Sequence, residues 1–219
     1  MSLEKVDLFN LEIEEPSTVH IKGYQCYSIS PENFIPYDNT VLKKRTWTSV
    51  KHKWSLLEPV LDNTDAKSYM DFGSNLGALV LASGQKGIQS TGVDYNEGYI
   101  HICRLIQHIT GVQADFKQGT TKTLQGTWSD VLSAFSVWHH LFDRTENNSI
   151  HTLVKTFMLH TNNLVLEFPT EKDPKAMKWT KGDPGYTRQV LENAIIENGF
   201  NYKIIDESDV RPTYWITKL

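Results

Sequence analysis

One short segment constrains this 219-residue chain more than any other. Ser68-Tyr69-Met70-Asp71-Phe72 is a compact, mostly apolar run that passes directly into Gly73-Ser74-Asn75-Leu76-Gly77 and then into a stretch rich in Leu and Ala. A buried strand, a glycine-punctuated turn and a helix in immediate succession open a βαβ unit. Two glycines four residues apart let the turn take left-handed backbone and bring main chain close to a bound molecule. In open α/β sheets ligands bind beyond the carboxyl ends of the strands, so residues 71–77 are expected at a ligand-binding edge.

The remainder repeats the alternation. Strands are predicted at 68–72, 89–94, 113–118, 130–137 and 163–168, and helices at 76–83, 97–108, 147–160 and 185–198. Gly84 and Gly199 are expected to stop two of those helices. Residues 202–206 and 213–219 read as two final strands whose connection is too short for a parallel crossover, which predicts an antiparallel hairpin at the sheet edge. The expected fold class is α/β: a Rossmann-like, seven-stranded, mostly parallel sheet with helices on both faces and an antiparallel C-terminal hairpin. Residues 1–36, punctuated by Pro16, Pro31 and Pro36, read as an N-terminal extension with strand character around Val19 and Ile21, and residues 37–219 as one domain. Between them, 40–61 predicts a basic helix bearing Lys43, Lys44, Arg45, Lys51 and Lys53 with Trp47 and Trp54 interleaved, closing at or soon after Pro59.

Composition narrows the function classes. A net charge of −4 argues against a protein basic overall for nucleic acid. Cys26 and Cys103 form no CxxC pair, so neither a zinc site nor a disulfide framework is expected, and Cys103 reads as a buried thiol. No apolar stretch approaches the roughly 20 residues that span a bilayer, and residues 1–10 carry no signal-like apolar core, so the expected location is cytoplasmic.

The second strand ends at Asp94, 17 residues beyond Gly77, where a carboxylate can accept both hydroxyls of a ribose. The turn itself departs from the GxGxxG dinucleotide fingerprint. It reads Asp-x-Gly-x-x-x-Gly, and an acid on the strand side repels a pyrophosphate but tolerates the ammonium of a methionine moiety. The ligand expected from the residues is therefore S-adenosylmethionine (SAM) rather than NAD.

With Asp71, Gly73, Gly77 and Asp94 in register, the stretch from Ser68 to about Phe168 resembles the class I SAM-dependent methyltransferases. That resemblance implies SAM as cofactor and S-adenosylhomocysteine (SAH) as product, held by Asp71, Gly73, Ser74, Asn75 and Gly77 in the loop and by Asp94 at the ribose. It places Tyr95 beside the adenine and Ser136 on the cofactor side of the fourth strand. The family's third motif carries an acid after a glycine; here Gly119 is followed by Thr120, so either Thr120 replaces the acid or Asp115 reaches in. In this fold class the helix before the sheet contributes to the cofactor, which makes Arg45 a candidate for its carboxylate. The segments Ser136-Val137-Trp138-His139-His140-Leu141, Val165-Leu166-Glu167-Phe168-Pro169 and Val210-Arg211-Pro212-Thr213-Tyr214 are similar to the methyltransferase half of the methyltransferase–kinases that terminate bacterial O-antigens, and to glycan-methylating domains of large algal viruses. This narrower resemblance implies O-methylation of a sugar hydroxyl, or of a phosphate on a sugar, within a glycan-building polypeptide or assembly.

A sugar hydroxyl is a poor nucleophile and calls for a general base. His139 and His140 follow the fourth strand, with His139 the first choice, and Glu167 ends the fifth; these are the candidate catalytic residues. Trp138 is the candidate sugar platform, and Arg211 and Tyr214 are candidates for lining the acceptor, although a surface ion pair is the slightly preferred reading of Arg211. No metal is expected, because Trp-His-His replaces an acid cluster after the fourth strand, with Asp143 as the one acid near it. The alternatives are a nucleic-acid or small-molecule methyltransferase and a SAM-binding module without catalysis.

Overall fold

The computed structural model describes residues 10–14, 17–22, 25–37, 49–142 and 149–218. From residue 68 onwards the predicted alternation is realised with boundaries shifted by at most three residues. The strands are β5 (Ser68–Phe72), β6 (Gln89–Asp94), β7 (Asp115–Gln118), β8 (Ser129–Phe135), β9 (Thr161–Glu167), β10 (Phe200–Asp206) and β11 (Thr213–Lys218). They form one sheet in the order β10-β11-β9-β8-β5-β6-β7. The five from β5 to β9 pair in parallel, whereas β11 is antiparallel to both β9 and β10, as the short connection required. After β7 the chain crosses back to add β8 on the other side of β5, so β5 and β8 flank the point where strand order reverses. That crevice is where α/β sheets take their ligands.

Continuous burial of β5 and β8 follows from cover on both faces. One face carries α2 (Ala78–Gln85) and α3 (Glu97–Thr110), together with α1 (Val50–Asn63). The other carries α4 (Trp138–Leu141), α5 (Ile150–Met158), α6 (Pro174–Trp179) and α7 (Arg188–Glu197). In α5 the buried residues Ile150, Leu153, Val154, Phe157 and Met158 recur at the helical period. Each such side chain contributes roughly 1.5–3 kcal/mol when removed from water. In α2 every residue from Ala78 to Ser83 is buried, because the helix is roofed by a second, four-stranded antiparallel sheet. That sheet is β1 (Asn10–Glu14), β2 (Thr18–Lys22), β3 (Tyr27–Ser30) and β4 (Asn33–Pro36), and its Val19, Ile21, Tyr27 and Ile29 share one core with α1, α2 and α3.

The molecule departs from the sequence expectations at three places. Gly84 lies inside α2, where a Cβ would strike the Gln113 carbonyl, and the left-handed residue after that helix is Gly87. The basic helix does not run unbroken from residue 40: Ser49 is extended and caps α1 by accepting from His52 N–H. Nor does Pro59 close α1, which continues to Asn63. Arg45, with Lys43, Lys44 and Trp47, lies outside the described residues, as does Asp143. Short helices α4 and α6, each under two turns, carried no periodicity from which to read them.

Candidate functional site

The turn after β5 is built from alternating left-handed residues, Gly73 at φ 80°, Asn75 at 50° and Gly77 at 74°. Asparagine is among the few side chains that tolerate this region. A Cβ at Gly73 would strike the Val137 side chain across the switch point, and one at Gly77 would lie 2.7 Å from the Phe116 ring. The backbone is held on both sides. Gly73 and Ser74 donate to Val93 O at 2.7 and 3.1 Å. Asn75 donates to Asp94 Oδ2 and Asn96 to Asp94 Oδ1, each at 2.9 Å. Three successive carbonyls of the turn accept from side chains on separate elements: Ser74 from Gln25, Asn75 from Cys103 and Leu76 from Tyr27.

Asp71 stands in β5 with 4% exposure and accepts from Ser133 Oγ at 2.5 Å; Ser133 in turn meets Tyr69 Oη at 2.6 Å. Burial pushes its carboxyl up to about 6, opposed by the Ser133 hydrogen bond and the positive charge of Lys53. Lys53 reaches over this edge from α1, its Nζ 5.4 Å from the Phe135 ring. Asp94 is also raised by burial, restrained by the backbone N–H groups it accepts. Tyr95 beside it is 76% exposed. Thr120 uses its hydroxyl to cap a 3-10 turn, Thr121–Leu124, while the preceding Gly119 donates to Asp94 O at 2.9 Å. Asp115 begins β7 at the far end from Asp94 and pairs with Lys117, so it does not reach the ligand edge.

Beyond β8 and β9 a buried polar network gathers several candidates. Ser136, at φ 59°, donates to Glu167 Oε1 and accepts from Arg211 Nη1 at 2.7 Å. Arg211 also donates to Glu167 Oε1 at 3.2 Å and, through Nε, to Asp173 Oδ2 at 2.6 Å. Arg211 is 3% exposed and both carboxylates are fully buried. Arg211 is thus a buried bridge between two acids and not a surface pair, and Glu167 is its partner. The Arg211 charge holds Asp173 below the usual carboxylate range against the cost of burial, aided by the N–H groups of Lys175 and Ala176, which Asp173 caps.

The two histidine rings are tilted at 40° with centroids 4.0 Å apart, and the ring of His140 meets Trp179 edge-on at 4.5 Å. His139 is 5% exposed, its Nδ1 buried without a hydrogen-bond partner among the described residues. Burial, His140 and the Arg211 charge bring it down to about 3. His140 is exposed, and its lowering, from partial desolvation and Arg211, is milder. Two acceptor candidates are not at this mouth. Trp138 is wholly buried against Phe157, and Tyr214 is buried with its hydroxyl on Glu192 Oε1 at 3.0 Å. The exposed aromatic is Trp179, at 59%.

The residues present suit SAM. Ser74 Oγ and Asn75 Oδ1 are buried in the turn without partners among the described residues, and Asp94 accepts backbone N–H groups at both oxygens while keeping acceptor capacity that suits ribose hydroxyls. Among the described residues no group of three or more His, Cys, Asp or Glu is arranged for a metal ion, and no helix is long and apolar enough to cross a membrane. Sequence reasoning missed Gln25, Ser133, Asp173 and Trp179, and named Lys53 only as part of the basic helix. Asp173-Pro174 did carry a signal, a capping acid before proline at a helix start. Gln25 and Trp179 carried none.

No protein-family model matches the chain. Over 159 residues, 68% of the chain, it is 23% identical to the O-antigen chain terminator bifunctional methyltransferase/kinase WbdD of Escherichia coli, of which the match covers 22%. Over 93 residues, 41% of the chain, it is 30% identical to 40% of the ubiquinone biosynthesis O-methyltransferase of Azotobacter vinelandii. A crystal structure of WbdD superposes with a TM-score of 0.66 and 20% identity, covering 83% of this chain and 43% of WbdD. The magnesium protoporphyrin IX methyltransferase of Synechocystis with bound SAH gives 0.60 and 18%, covering 84% and 89%. The chain therefore spans less than half the length of WbdD. Fold, cofactor turn and relatives agree: the chain has the fold of the class I SAM-dependent methyltransferases and resembles the methyltransferase part of WbdD and small-molecule O-methyltransferases.

Proposed function

We propose that this methyltransferase methylates an oxygen of a sugar acceptor, a hydroxyl or a phosphate on the sugar, with His140 as the general base for a hydroxyl. The observation that carries the reading is the His139–His140–Trp179 aromatic cluster at the carboxyl edge of β8, open to solvent at the indole. An exposed indole beside an accessible imidazole offers a flat face to a ring and a proton acceptor for its hydroxyl. The sequence likeness to a chain terminator of O-antigen supports a saccharide acceptor.

SAM supplies an electrophilic methyl group on a sulfonium centre, open to in-line displacement. Asp94 would accept the ribose hydroxyls, and Ser74, Asn75 and Asp71 would meet the cationic amino-acid end. Tyr95 would cover the adenine beside Thr120, while Ser136 shapes the wall between cofactor and acceptor through Arg211 and Glu167. His139 and His140 are both held neutral near pH 7, the state a base requires. His139, brought down to about 3 and buried, is too weakly basic for the task; it supports the His140 ring from behind. Lys53, or Arg45, would meet the cofactor carboxylate.

A planar aromatic acceptor would also fit the exposed indole, and the ubiquinone-pathway relative favours that second reading. The deciding experiment offers labelled SAM with rhamnose-, mannose- and phosphosugar-terminated oligosaccharides and, in parallel, with catechols and hydroquinones. Turnover on a saccharide and none on a phenol supports the proposal. Turnover confined to phenols, or binding of SAH with no turnover on either class, overturns it.

A further inference from the structure

Glycine at position 77 meets two demands of the turn and fails a third. Its left-handed φ closes the turn, and its missing Cβ leaves room for Phe116 and Cys103. It also occupies the N-cap of α2, where serine, threonine, aspartate or asparagine would offer an oxygen to the first unpaired N–H groups. Gly77 provides no such cap. Gln25, 53 residues upstream of Ala78 in the connection between β2 and β3, provides one from outside: its Oε1 accepts from Ala78 N at 3.3 Å. The same amide donates through Nε2 to Ser74 O at 3.3 Å, so a single side chain joins the two ends of the turn. Close by on the same segment, fully buried Tyr27 donates to Leu76 O at 2.5 Å.

We propose that the N-terminal sheet is a working part of the cofactor site, with Gln25 a positioning residue that locks residues 74–78 into the shape that receives SAM. This rests on the cofactor reading above. Val93 and Asp94 hold the turn through its N–H groups, and Gly77 N–H closes onto Ser74 O at 2.9 Å; the remaining contacts to the carbonyls of residues 74–76 come from Gln25, Cys103 and Tyr27. Without Gln25 the turn keeps its glycines and the Gly77 N–H bond to Ser74 O but loses the cap on Ala78 N–H and the second donor on Ser74 O, and fewer molecules hold the binding-competent shape. Apparent affinity falls in proportion to that competent fraction.

The test uses the full chain and SAH, so no acceptor is needed. In titration calorimetry Gln25→Ala is expected to raise the SAH dissociation constant about fivefold to twentyfold, the loss of one or two ordinary hydrogen bonds. Its melting temperature should stay close to wild type, because Gln25 is only partly buried and closes no core. Amide exchange at Ala78 should quicken. Gln25→Glu, which keeps the acceptor for Ala78 N–H but not the donor to Ser74 O, should fall between. Lys22→Ala, which removes an exposed ion pair with Glu12 on the same sheet, should bind SAH as wild type. Unchanged SAH affinity in Gln25→Ala overturns the inference, as does an equal loss in Lys22→Ala. Failure of the wild type itself to bind SAH overturns the cofactor reading, and the inference with it. Tyr27→Phe should weaken SAH in the same direction; should that variant fail to fold, the affinity of Gln25→Ala alone decides.

Discussion

Replacing Asp71 by asparagine should stabilise the fold while damaging the cofactor site, and the sign reverses what a buried polar deletion usually does. In the folded chain Asp71 is raised from 3.8 to about 6 because burial penalises its charge. Between those values the folded state binds more protons than the unfolded one, so stability falls as pH rises and the full cost is present above pH 6. A shift of about two units corresponds to roughly 3 kcal/mol at 1.36 kcal/mol per unit. Asparagine presents the same oxygen to Ser133 Oγ and carries no charge, but its amide hydrogens need partners, which returns about 1–2 kcal/mol. Asp71→Asn is therefore expected to gain about 1–2 kcal/mol at about pH 7.5 in urea unfolding followed by tryptophan fluorescence. The decisive quantity is the difference between variant and wild type against pH. It should shrink by about 2 kcal/mol on going to about pH 4.5, because the wild-type carboxyl is then largely protonated in the fold. The difference is needed because His139 acts in the opposite direction over the same range. SAH affinity of the variant should be lower near neutral pH, since the ammonium end of the ligand loses a carboxylate. A variant less stable than wild type at neutral pH, or a gain constant with pH, would refute the burial account of Asp71.

His140→Ala should lower kcat by about 10²–10⁴ with little change in SAH affinity, whereas His139→Ala should mainly lower melting temperature; equal losses in kcat would contradict the division between them. Stability attributable to His139 should be intact above about pH 6.5 and drain away as pH falls towards 3, since its folded value lies below the unfolded one; His139→Gln should flatten that slope in acid titration. Asp173→Asn should cost about 3–5 kcal/mol in chemical unfolding, because it leaves the buried Arg211 guanidinium with Glu167 alone; a loss under about 1 kcal/mol would show that water already screens the pair. Trp179→Ala should raise the acceptor KM about tenfold and leave SAH binding untouched, and an unchanged KM would remove the indole from the acceptor site.

The parts of this molecule that were legible in its sequence are those where one local requirement selects few residue types. Left-handed turns select glycine and asparagine, so Gly73, Asn75 and Gly77 announced the cofactor turn. A parallel strand covered on both faces demands continuous apolar residues, so 68–72 and 130–137 stood out. The acid at the end of β6 was readable because it lies one βα unit beyond the turn, a distance the chain geometry fixes. Trp138 shows where this kind of reading fails. An aromatic beside two histidines looks like a platform, but whether it faces solvent or core depends on the direction of a single four-residue helix, α4, which has too few turns to show a periodicity.

The proposed acceptor edge was obscure for a related reason: its geometry is made by residues brought together over long sequence separations. Arg211 meets Ser136 across 75 residues and Asp173 across 38, and no property of any one segment records those meetings. What the network does there can be inferred from its charge. One guanidinium lies between two fully buried carboxylates, and its field reaches the histidine pair, where it disfavours the protonated ring in both. The same arginine ties the turn before β11 to the end of β9 and to the cap of α6, the helix that carries Trp179. In the proposed acceptor site that buried charge therefore adds to the desolvation that keeps both histidines neutral, and it also fixes the wall beside them. Because Asp173 holds the Arg211 guanidinium through Nε, a substitution there should change the pH dependence of turnover as well as stability, although its own partners are Arg211 and the N-terminus of α6.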